Sequence, residues 1–159
     1  MIFAIDPGTT ESAWVQFVDG RPRRFGKDLN VVVLREVDES RGHGNDLVIE
    51  WVQSFGMPVG AEVFETCYWA GRFAEAFAPH EAHRLKRTTI KGHICGSARA
   101  KDANVRAALI ERFGPTKAEA VGTKKKPGPL YGIKGDVWSA LAVAMTFADA
   151  ERRQPAGGL

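Results

Sequence analysis

No apolar run in this chain approaches the length of a membrane-spanning helix, and it opens on an apolar strand-like run, MIFAI, rather than a basic, cleavable leader. The expectation is a cytoplasmic protein. Cysteine is scarce: Cys67 and Cys95 are isolated and lack metal-ligand or disulfide-framework spacing, so both are read as reduced thiols. The four histidines, His43, His80, His83 and His93, have no ligand spacing either. No internal repeat is visible. At 159 residues, 44% hydrophobic and 26% charged, the composition is that of an ordinary globular protein. A real core needs no staples at this size, and the expectation is one domain over residues 1–152 with 153–159 as a disordered tail.

The net charge of +3 conceals a strong asymmetry. Residues 84–134 hold thirteen Lys or Arg against three acids, Asp102, Glu111 and Glu119, and the rest of the chain is net acidic. A polyanionic partner follows, and nucleic acid is favoured over a merely solvated basic face by the position of the acids.

Those acids begin with Asp6. Ile2 to Ile5 read as a strand buried on both faces, ended by Asp6, Pro7 and Gly8. A carboxylate at the end of a buried strand is costly unless it binds metal, pairs or hydrogen-bonds. Its plainer role would be to cap the Pro7–Gly8 turn.

SAWVQFVDG predicts a second strand and a hairpin at Asp19-Gly20, with a third strand near NVVVLREV, beginning nearer Phe25 at the earliest. Leu47, Val48, Trp51, Val52 and Phe55 recur at helical spacing and predict a helix over 45–55. AEVFE predicts a fourth strand whose terminal acid, Glu65, would stand beside Asp6 at one sheet edge, with Glu62 at the far end of that strand. CYWAGRFAEAFAPH predicts a helix, HRLKRTTIK a basic strand, and residues 102–113 a helix closed by Gly114-Pro115. Residues 115–132, carrying Lys124, Lys125 and Lys126, are expected to form a mobile loop without regular structure. GDVWSALAVAMTFADAERR predicts a last helix opened by Asp136.

This order, and four segments in particular, resemble a RuvC-family Holliday junction resolvase of the RNase H-like superfamily, as encoded by bacteria and phages. The segments are FAIDPGTTESAWV, VFE, KGHICGSARAKDANVRAAL and GDVWSALAVA, which span nearly the whole chain in order. The resemblance implies an α/β fold with a central mixed five-stranded sheet, an antiparallel N-terminal meander joined to parallel strands, flanked by helices. It also implies Asp6, Glu65 and Asp136 as metal-binding carboxylates, and Lys101 near the scissile phosphate. One position departs: Ser139 stands where the family usually has a further aspartate. The implied chemistry is phosphodiester hydrolysis with two Mg²⁺ ions about 3.5–4 Å apart, Mn²⁺ substituting. A symmetric homodimer would place two such sites on opposed strands of a four-way junction.

The basic half supplies Lys86, Arg87, Lys91, Arg99 and Lys124 to Lys126 as candidate phosphate contacts. Tyr68 and Trp69 are candidates for stacking on opened base pairs, against the plainer role of packing in a core or dimer interface. Three other readings remain. DPGTT resembles the phosphate turn of sugar kinases and actin-like ATPases, but those need two domains and a second phosphate loop. A non-cleaving junction-binding protein and an RNA-processing nuclease share the expected fold.

Overall fold

A computed structural model describes residues 1–42 and 44–153. Five strands, β1 (Ile2–Asp6), β2 (Glu11–Val18), β3 (Arg21–Leu29), β4 (Asp46–Trp51) and β5 (His83–Lys86), form one sheet in the order β3-β2-β1-β4-β5. The β1–β2 and β2–β3 pairs are antiparallel, and β1–β4 and β4–β5 are parallel. The expected mixed sheet is therefore present. Asp19 and Gly20 both take positive φ, 51° and 76°, which gives the β2–β3 hairpin the twist its strands require.

Period-two alternation divides the core. Phe3, Ile5, Trp14, Leu47 and Ile49 face α1 (Asn30–Ser40) and α2 (Ala61–Ala76), while Ala4, Ala13, Val15 and Val48 face α6 (Val137–Arg153). Beside α6 lie α3 (Arg87–Cys95), α4 (Asp102–Phe113) and the short α5 (Lys117–Ala120). Ten residues of α6, from Val137 to Phe147, are buried, so this helix is the largest single contributor to that layer. Among the described residues no helix is long and apolar enough to cross a membrane.

Three elements differ from expectation. NVVVLREV is α1, not a strand: Asn30, Val33, Val37 and Ser40 are its buried residues, a helical spacing that overrides the β preference of three consecutive valines. Residues 46–51 form β4, not a helix. Leu47, Val48 and Ile49 are each wholly buried, as in a parallel strand covered on both faces, while Phe55, which completed the apparent helical stripe, is 72% exposed. AEVFE opens α2 rather than forming a strand; the buried stripe of that helix is Ala70 and Phe73, continued by Phe77.

Smaller corrections follow. HRLKRTTIK supplies only four strand residues before α3 begins at Arg87, and Gly96 in the left-handed region ends that helix. The expected loop at 115–132 contains α5 and a Gly122–Pro127 bridge whose tip is closed by two backbone bonds between Thr123 and Lys126. Arg153 closes α6 rather than beginning a tail, and residues 154–159 lie outside the described residues.

Candidate active site

The parallel register of β1 and β4 pairs Ile5 with Ile49, so the next step sets Asp6 beside Glu50. Across β2 and β3, Asp6 is opposite Ala13 and Ala13 is opposite Lys27. Lys27, Ala13, Asp6 and Glu50 thus form one row on the face covered by α6. Asp136, immediately before α6, reaches this row from above: its Oδ2 accepts a hydrogen bond from Lys27 Nζ at 2.6 Å.

The turn after β1 is held without using Asp6. Gly8 N donates to Ser12 Oγ, Ser12 Oγ donates to Asn30 Oδ1 at 2.6 Å, and Asn30 Nδ2 donates to the Gly8 carbonyl. A side chain on Gly8 would meet the Glu11 carbonyl oxygen at 2.3 Å, which accounts for the glycine. Asp6 is left free to act at the strand end. Burial, then the charge of Glu50, raise its pKa to about 7, with Asp136 adding to the rise; Arg87 and a hydrogen bond from Ser139 pull the other way.

Glu50 is partnered by Arg87, whose Nη1 donates to Glu50 Oε1 at 2.9 Å and whose Nη2 donates to Asp102 Oδ1 at 2.9 Å. Lys91 Nζ lies 3.0 Å from the same Asp102 oxygen. The Lys91 hydrogen bond, together with the Arg87 charge, holds Asp102 below the usual carboxylate range. Two of the clefts that reach Asp136 bear on the acids. One, of about 430 Å³, runs between α3, α4 and α6 past Glu50, Arg87, Lys91 and Arg106. The other, of about 230 Å³, lies along Asp6, the 7–11 turn and Lys27.

The donor chemistry suits a hard divalent cation: the carboxylates of Asp6, Glu50 and Asp136 lie close enough to act on one another's charge at one sheet edge. As the side chains stand, no three His, Cys, Asp or Glu among the described residues are gathered tightly enough to hold a metal, Asp136 resting on Lys27 and Glu50 on Arg87.

Of the residues singled out in the sequence, Asp6 and Asp136 meet here. Glu65 does not: it is an exposed residue of α2, on the helix layer that covers the other face, and Glu50 has the place expected for it. Lys101 is exposed at the start of α4, where its backbone N–H donates to Asn104 Oδ1. Arg87 and Lys91 line the larger cleft; Lys86, Arg99 and Lys124 to Lys126 are exposed away from any pairing with the acids. Tyr68 and Trp69 lie on α2, with Arg72 over both rings at 5.6 and 4.4 Å.

Two residues of the row were not singled out. Glu50 is the penultimate residue of DLVIEW and Asp6 the last of IFAID, each an acid near the close of a doubly buried strand, and that signal was available. Lys27 has no local signal, because its relation to Asp6 exists only through strand pairing.

No protein-family model matches the sequence, and a search of curated proteins found no match. Among solved structures, the chain is similar to Thermus thermophilus RuvC, with 17% identity, a TM-score of 0.66 and 95% of each chain covered. It is also similar to T. thermophilus RuvC in complex with a Holliday junction substrate, at 18% identity and TM-score 0.65, covering 95% of this chain and 94% of that one. The chain has the RNase H-like fold of RuvC.

Proposed function

We propose that this chain is a metal-dependent endonuclease that resolves four-way or branched DNA, acting as a cytoplasmic homodimer. The observation that carries the reading is the juxtaposition of Asp6, Glu50 and Asp136 at one sheet edge in a fold shared with a protein solved on a Holliday junction. Asp6, central in the row, would serve both of two divalent ions, Mg²⁺ or Mn²⁺, with Glu50 and Asp136 each serving one. Bound metal would activate water and neutralise charge on the phosphoryl group.

The chain's own groups do the rest. Arg87 and Lys91 stand on the cleft wall nearest Glu50, suited to hold phosphate oxygens. Lys101, at the mouth of α4 beside Asp102, would reach the scissile region, and Lys86, Arg99 and the lysine-tipped hairpin would track the backbone further out. Exposed Phe55, Met57 and Val59 before α2, and Phe64 and Tyr68 on it, are apolar side chains that a second copy or, for Tyr68, a base would cover.

One observation favours a second reading, a junction-binding protein that does not cut: Lys27 occupies the Asp136 carboxylate. Incubating a synthetic four-way junction, matched duplex and single strand with Mg²⁺ or EDTA separates the two. Paired Mg²⁺-dependent nicks on the junction alone support the nuclease. Tight, selective binding without nicks in Mg²⁺ or Mn²⁺ supports the binding protein.

A further inference from the structure

We propose that Lys27 is a built-in competitor for the Asp136 carboxylate, releasing it for metal binding when a DNA phosphate draws the ammonium away. This rests on the reading that Asp6, Glu50 and Asp136 hold metal. Lys27 is a positioning residue in this scheme, acting through Asp136.

Three features single it out. Its Nζ lies 2.6 Å from Asp136 Oδ2, and both side chains are about half exposed, so the pair can open without disturbing the core. Arg87 differs: it is shared between Glu50 and Asp102 and is thereby anchored on both sides. Second, only Ala13 separates Lys27 from Asp6 along the row, and the charges of both Asp136 and Asp6 act on the Lys27 ammonium. Third, Lys27 lines the cleft formed by Asp6, the 7–11 turn and Asp136, where a phosphate approaching the acids would meet it.

Charge explains the device. Asp6, Glu50 and Asp136 face two built-in cations, Lys27 and Arg87, and Glu11, lining the same cleft, also acts on Lys27. A divalent ion using Asp136 must displace the ammonium and then sit beside it, which weakens binding in the absence of DNA. An arriving phosphate supplies negative charge and gives Lys27 a new partner. Metal loading at Asp136 is thereby coupled to substrate.

The test is calorimetric titration of the full chain with Mn²⁺, without DNA, for the wild type, Lys27→Met, Lys27→Arg and Asp6→Asn. Lys27→Met should bind Mn²⁺ roughly tenfold more tightly than wild type, and Lys27→Arg should stay near wild type. On a junction substrate Lys27→Met should also need less Mg²⁺ for half-maximal rate while its maximal rate falls. Lys27→Gln repeats the comparison with a polar side chain should the methionine variant not fold. Identical isotherms for wild type and Lys27→Met, with binding lost in Asp6→Asn, would overturn this inference alone. Binding unaffected by Asp6→Asn would overturn the metal-site reading beneath it.

Discussion

Asp6 and Glu50 are neighbours on two parallel strands, one register step beyond the Ile5–Ile49 pair, and both face α6. Burial at this strand end, with the Glu50 charge beside it, is an electrostatic cost in the metal-free protein that lifts the Asp6 pKa to about 7.

That cost sets a pH dependence of stability. A folded-state pKa above the ordinary aspartate value means the native state holds its proton where the unfolded chain does not. The associated stability is full below about pH 4 and lost as pH rises through about 7. In EDTA, Asp6→Asn should melt higher than wild type at pH 8, by roughly 2–4 kcal/mol of stability, and the gap should close toward pH 4. Thermal denaturation across pH checks this; a variant less stable than wild type at pH 8 would contradict it.

Ser139 hydrogen-bonds Asp6, at the position where the family resemblance would set a further acid. Ser139→Asp should lower the melting temperature in EDTA, by adding like charge at the same edge, and recover more than wild type does on adding Mn²⁺. Ser139→Ala loses only its hydrogen bond to Asp6 and should not gain the extra recovery on adding Mn²⁺. Melting curves with and without metal distinguish these outcomes.

The hairpin at 122–127 is built on close approach rather than slack. A Cβ on Gly122, at φ +71°, would meet the Lys126 carbonyl at 2.3 Å, and one on Gly128 would meet the Glu119 carbonyl at 2.4 Å. Replacing either glycine by alanine should cost roughly 1–3 kcal/mol of stability. Replacing Lys124, Lys125 and Lys126 together by alanine should leave the melting temperature unchanged. Their joint loss should weaken junction binding and flatten its salt dependence by about 2–3 in the logarithmic slope.

Phe64 and Tyr68 are 66% and 57% exposed on α2. If that face joins two copies, Phe64→Glu should shift sedimentation from dimer to monomer while circular dichroism stays unchanged. A wild-type monomer at micromolar concentration would remove the dimer from the account.

The legible parts of the chain were those where one short segment carried its own reason. IFAID announced a buried strand ending in an acid, and GDVWSALAVA announced an acid leading a buried helix. The misread parts were those where local pattern and tertiary environment disagree. NVVVLREV has strand-like residues at helical burial positions, and DLVIEW is followed by Val52 and Phe55, which extend it into a false helical stripe. Moving the fourth strand from 61–65 back to 46–51 moved the second acid from Glu65 to Glu50, one error with one consequence. Lys27 lay beyond local reading altogether, since two antiparallel pairings are needed to bring it to Asp6.

The most direct measurement is cleavage of a four-way junction in Mg²⁺ by wild type, Glu50→Gln and Glu65→Gln side by side. The account expects paired nicks from wild type, a loss of about 10²-fold or more in Glu50→Gln, and wild-type rates from Glu65→Gln. A Glu50→Gln protein that cuts at the wild-type rate, or a Glu65→Gln protein that is the inactive one, would contradict it.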